Sequence, residues 1–121
     1  MAKKNKKTNP TLIALVQKLK KEAYENDAPI WKDIALRLEK PLRNWPEVNL
    51  DRIDRYTKAN ETALIPGKVL STGNLTKKVY IAAWSFSEKS QEKIKKTGSK
   101  SMSIEELVKN NPKGKDVRIL G

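Results

Sequence analysis

The sequence predicts a mixed α/β protein in which a basic N-terminal arm and helices precede a small domain of strands and helices. Three observations carry this. Apolar residues in the first half recur at helical spacing. In the second half the pattern shortens into extended pieces punctuated by Pro-Gly and Gly-Asn. One run there, Lys78-Val79-Tyr80-Ile81-Ala82-Ala83-Trp84, is apolar on both faces, as a strand buried on both sides is. A chain of 121 residues suffices for one domain with one modest core. The divisions read as an arm over residues 1–8 and a single domain over 9–121, helical over 9–58 and strand-helix over 59–121.

Lys3, Lys4, Lys6 and Lys7 stand in the arm without an acid, and nothing apolar follows Ala2 until Leu12, so the arm reads as disordered on its own. Asn9 followed by Pro10 is an N-cap with proline at the first helical position. The helix it opens puts Leu12, Leu15, Val16, Leu19 and Ala23 on one stripe, with Lys18, Lys20 and Lys21 mostly away from it. Residues 25–28 turn, and Pro29 starts a second helix with Trp31, Ile34, Ala35 and Leu38 inside.

Pro41 and Pro46 then bracket a short loop, and each disfavours helix for the residue before it, Lys40 and Trp45. Between them Arg43, Asn44 and Trp45 combine a planar cation, an amide and a large ring. That set can hold phosphate, bond a base edge and stack on a base. A loop tryptophan also folds back onto a core, and residue types leave both readings open.

Asn49 reads as the cap of a third helix, with Asp51 at its positive end. Leu50, Ile53 and Tyr56 face inward, while Arg52 and Arg55 point elsewhere. Residues 62–65 and 68–70 read as short extended pieces on either side of a Pro66-Gly67 turn, and residues 72–74 as a further turn. The run ending at Trp84 is expected at the centre of the core, with Trp84 itself buried. Ser87 caps a helix that Gly98 stops near Thr97. This helix is unusually polar, with Ser90 and Gln91 where apolar residues are expected. Ser103-Ile104-Glu105-Glu106 is a capping box for a short helix, residues 110–114 end it, and Val117-Arg118-Ile119 is a last strand.

Composition narrows the function. Net charge is +12, from 26 Lys and Arg against 14 Asp and Glu, and 33% of residues are charged. That excess favours a polyanion, because each phosphate neutralised releases counterions. A membrane partner is not expected, since insertion needs an apolar face and no segment has both a strong basic face and a wide aromatic one. The apolar run 12–16 is also shorter than the roughly 7–15 residues of a signal peptide. The chain has no Cys and no His, which removes thiolate chemistry, the commonest general base and the commonest metal ligand. Neither an enzyme, a cofactor nor a small-molecule substrate is expected. Ser90-Gln91-Glu92-Lys93 and Lys96-Thr97-Gly98 mimic parts of the serine β-lactamase set, but here they share one helix and its cap. Gly98-Ser99-Lys100-Ser101 lacks the Gly-Lys pair of a P-loop, and the acids at 51, 54, 105 and 106 suit helix starts.

The residue order also carries a resemblance. Leu38-Glu39-Lys40-Pro41, Arg43, Glu47-Val48-Asn49-Leu50 and Arg52-Ile53 resemble the signature of the large-subunit ribosomal protein eighteen family of archaea and eukaryotes. So do Lys7-Thr8-Asn9-Pro10, Pro66-Gly67-Lys68-Val69-Leu70, residues 82–87 and Asn111-Pro112-Lys113-Gly114, so the likeness covers nearly the whole chain. It implies an α/β fold of irregular strand-strand-helix turns, shared in its C-terminal part with bacterial large-subunit protein fifteen, and the compact archaeal form. It implies a structural constituent of the cytoplasmic ribosome that binds and stabilises large-subunit rRNA beside neighbouring ribosomal proteins. Charge alone leaves an architectural protein of double-stranded DNA as the alternative. Ser90, Gln91 and Trp45 depart from the family pattern. The residues expected at the RNA are the arm lysines 3, 4, 6 and 7, Lys40, Arg43, Asn44, Trp45, Arg52, Lys68, Lys77, Lys78, Lys113 and Lys115.

Overall fold

The protein, described here by a computed structural model over residues 9–121, is a five-stranded, wholly parallel sheet with helices on both faces. The arm lysines 3, 4, 6 and 7 lie outside the described residues. Helix α1 (Pro10–Glu25) begins as the sequence dictates: Asn9 Oδ1 accepts the N–H groups of Thr11 at 2.9 Å and Leu12 at 3.2 Å, with Pro10 at the first position. A turn through Asp27 leads to α2 (Pro29–Leu38), whose Trp31, Ile34, Ala35 and Leu38 are completely buried. A 3-10 turn (Leu42–Asn44), strand β1 (Glu47–Asn49) and α3 (Leu50–Tyr56) follow. The remainder alternates: β2 (Thr62–Leu70), β3 (Tyr80–Phe86), α4 (Glu88–Lys96), β4 (Lys100–Ser103), α5 (Ile104–Asn110) and β5 (Val117–Ile119).

Strand β2 is the axis of the sheet. On one side it pairs with β3, from Thr62 opposite Tyr80 to Val69 opposite Phe86, and β4 lies beyond β3. On its other side two short strands lie end to end: β5 beside Thr62–Leu64 and β1 beside Lys68–Leu70. Successive β2 residues point to opposite faces, so two cores form instead of the single one expected. Leu64 and Ala82 pack under α1, α2 and α5. Ala63, Ile65, Ile81 and Ala83 pack under α3 and α4, through Leu50, Ile53 and Ile94. Glu61 ties the start of β2 to β5. The Lys58 N–H bonded to it, then Arg118, hold its carboxyl below the usual carboxylate range.

Several local expectations change. Pro66-Gly67 is not a turn between two pieces but a bulge inside one nine-residue strand. Ile65 faces Ala83 and Lys68 faces Ser85, so β2 carries one extra residue there. Proline has no N–H to give a ladder, and a bulge is where a strand tolerates it. Asn49 occupies the cap position of α3, but its Oδ1 accepts the Thr72 N–H at 3.2 Å instead of capping the helix. Tyr56 is 51% exposed, not inward. Trp84 is half-buried, not central: it packs against the margin of the α1–α2 core, its ring against Trp45 of the loop. Ser90 is fully buried and satisfied, its hydroxyl donating to the Ser87 carbonyl at 2.7 Å, while Gln91 is exposed. The capping box at Ser103 and Glu106 forms in both directions.

Candidate nucleic-acid interface

The segment between the two prolines becomes a rigid lip over the sheet. Asn44 N–H bonds the Pro41 carbonyl at 2.8 Å, closing the 3-10 turn. Trp45 Nε1 donates to the Lys40 carbonyl at 2.9 Å, which folds the ring back across the loop. There it meets Trp84 edge to face, ring centres 5.7 Å apart and planes at 82°, an arrangement worth about 0.5–1.5 kcal/mol beyond area burial. Trp45 thus packs against the α1–α2 core while staying half-exposed.

β1 fixes this lip to β2. Glu47 registers with Lys68, and Lys68 N–H bonds the Pro46 carbonyl at 3.1 Å. Gly67 is required here, because a Cβ would collide with that same carbonyl oxygen. Arg43 and Lys68, 25 positions apart in sequence, thus border one groove of about 390 Å³ with Trp45, Glu47, Trp84 and Ser85. Both cations are exposed. Neither belongs to the three ion pairs formed among the described residues, which are Lys20–Glu39, Arg37–Asp33 and Arg118–Glu61. Lys68 also borders a second open groove at the carboxyl ends of β1, β2 and β3, with Asn49, Thr72, Phe86, Ser87 and Lys89. Ligands of parallel sheets favour that end of the strands. Sequence reasoning missed Lys89 and the exposed side of Trp84. The only available signal was the position of Trp84 at the end of its apolar run.

The other expected contacts are scattered. Lys40 and Asn44 are exposed on the lip itself. Arg52 lies on α3, across the sheet, with its guanidinium carbon 6.0 Å from the centre of the Tyr56 ring. Lys78, Lys113 and Lys115 are exposed where β3 and β5 begin. That end is separated from Lys68 by six residues of β2, roughly 20 Å at strand rise. Lys77 serves the scaffold: its ammonium donates at 2.8 Å to both the Asp54 and Thr57 carbonyls, closing the end of α3. Lys93 does the same for the Ser71 and Gly73 carbonyls, at 2.8 and 2.9 Å. Lys77→Met should therefore lower stability by about 1–2 kcal/mol, the scale of charged hydrogen bonds to orphaned carbonyls. Urea denaturation measures it. Unchanged stability with a shallower salt dependence of RNA binding would put Lys77 on phosphate instead.

Among the described residues, no cluster of His, Cys, Asp and Glu could hold a metal ion, and no helix is long and apolar enough to cross a membrane. Comparison with known proteins gives a family. The model described as "Ribosomal protein 60S L18 and 50S L18e" matches residues 1–121. A protein of Archaeoglobus fulgidus named large ribosomal subunit protein eL18 is 50% identical over 115 residues, 95% of this chain and 98% of its own length. Its namesake in Methanoregula boonei is 50% identical over 120 residues, 99% of each chain. The one in Methanothermobacter thermautotrophicus is 42% identical over 120 residues, again 99% of each. A match from end to end, with relatives this similar over nearly their whole length, establishes that the chain belongs to the family of ribosomal proteins 60S L18 and 50S L18e.

Proposed function

We propose that this protein is a structural constituent of the large ribosomal subunit, in the cytoplasmic ribosome, where it binds and stabilises folded large-subunit rRNA and meets neighbouring ribosomal proteins. One observation carries the RNA-binding part: Arg43 and Lys68, exposed and outside every ion pair among the described residues, border one groove with two indole rings. Cations beside aromatic surface suit RNA, which offers phosphate together with unstacked bases. A rim that held only phosphate would have no use for the rings. Lys40 and Asn44 extend the same lip. Lys78, Lys113 and Lys115 form a second basic rim at the far end of the sheet, reaching a different stretch of backbone. Nothing in the fold or the relatives favours the DNA-binding alternative.

The lip is held by proline at both ends and by hydrogen bonds within, so its cations lose little freedom on binding. Arg43→Lys keeps the charge but loses the planar fork, and should weaken binding to large-subunit rRNA by about 1–2 kcal/mol. Lys21→Ala, exposed on α1, should cost much less. Filter binding at fixed salt, with thermal stability checked for each variant, separates the two. Equal affinities for the parent and Arg43→Lys would reduce the lip to bulk charge.

A further inference from the structure

We propose that the groove bordered by the touching pair Trp45 and Trp84 receives one unpaired nucleotide of the folded RNA. A base carbonyl accepts a hydrogen bond from Trp84 Nε1, and the phosphate lies against Arg43 and Lys68. This rests on the RNA-binding reading above and names what that site grips.

The three tryptophans differ in what their indole N–H groups do. Trp31 Nε1 donates to the Pro112 carbonyl at 2.7 Å, and Trp45 Nε1 to the Lys40 carbonyl at 2.9 Å. Trp84 Nε1 meets no acceptor among the described residues, and it is not sealed away, since no buried side-chain nitrogen or oxygen there lacks a partner. A tryptophan packed this far into a protein ordinarily gives its N–H to something. Trp84 borders a groove whose other polar side chains are mostly donors: Arg43 and Lys68 offer N–H groups and accept nothing. Glu47 is the single carboxylate on its border. Such a groove selects a ligand rich in acceptors and negative charge.

Its walls add the second requirement. Two indoles at 82° present a ring edge and a ring face, not one stacked block, and a volume of about 390 Å³ suits a single planar ring with its sugar. A base inside a duplex is stacked above and below and cannot enter. An unpaired base turned out from a loop or bulge can. Lys68 borders the second groove as well, so the backbone leaving the nucleotide has a cation to follow.

The test compares the full-length parent with Trp84→Phe and Lys68→Ala, binding large-subunit rRNA over a range of salt. Phenylalanine keeps a ring against Trp45 but cannot donate. Trp84→Phe should lower affinity about three- to tenfold, the size of one net hydrogen bond, and leave the salt slope alone. Lys68→Ala should lower that slope by about 1. Chemical probing of the RNA should show an unpaired base protected by the parent and exposed again with Trp84→Phe. Parent-like affinity and protection with Trp84→Phe would overturn the nucleotide while leaving RNA binding intact. An effect seen only after large-subunit proteins are added would assign the groove to a protein segment instead. Failure of the parent itself to bind rRNA would overturn the RNA-binding reading, and this proposal with it.

Discussion

Replacing Trp31 with alanine should destabilise the fold by about 3–5 kcal/mol, the usual cost of emptying a large aromatic site in a core. Trp31 has no exposed surface. Its ring fills the layer between α2 and the sheet, and its Nε1 donates to the Pro112 carbonyl, 81 positions away. That bond anchors the loop before β5, where Gly114 closes down onto Ile30 and the Trp31 ring. Alanine would therefore open a cavity and also loosen the approach to β5. Small domains hold about 5–15 kcal/mol in all, so this one change removes a large share. Trp31→Phe fills much of the cavity and should cost clearly less, its remaining loss combining the smaller ring with the missing hydrogen bond. Urea denaturation followed by far-UV circular dichroism gives both numbers. A loss below about 1 kcal/mol for Trp31→Ala would mean the helical layer contributes little.

Gly67→Ala should be the next most damaging change, and the one that couples stability to binding. The new methyl group has nowhere to go but into the Pro46 carbonyl, the acceptor of the Lys68 N–H. Either β1 lifts from β2 or the bulge deforms. Overpacking of this kind costs about 1–3 kcal/mol. Lifting β1 also carries Trp45 away from Trp84 and Arg43 away from Lys68, so rRNA affinity should fall together with the melting temperature. Affinity unchanged in a destabilised variant would show that the lip holds its place without β1.

Most of the helices were legible because their signals are local. Asn9-Pro10, the stripe of α1, Pro29 and the box at Ser103 each act within a few residues, where capping and periodicity operate. The parallel sheet was less so. β1 has three residues and β4 reads Lys-Ser-Met-Ser, too short and too polar to show a period. Pro66-Gly67 is a turn pair in isolation, and only the pairing of β2 with β3, Ile65 with Ala83 and Lys68 with Ser85, makes it a bulge. The site followed the same division. Arg43, Trp45 and Lys68 were recognisable as residue types, but their meeting depends on the register of Glu47 with Lys68. Lys77 looked like any exposed turn lysine, and its carbonyl partners lie 20 and 23 positions away.

The two short strands set end to end along β2 also impose an order in time. A chain emerging from a ribosome offers β2 long before β5, since Thr62 must wait for Val117. During that interval β1 can cover only the far half of β2, and the near half shows a row of unmet N–H and C=O groups. Open strand edges invite pairing with other chains. No nascent chain can close this edge before residues 117–119 have left the exit tunnel. For this topology the hazardous period is therefore synthesis itself, and it ends when the last strand pairs.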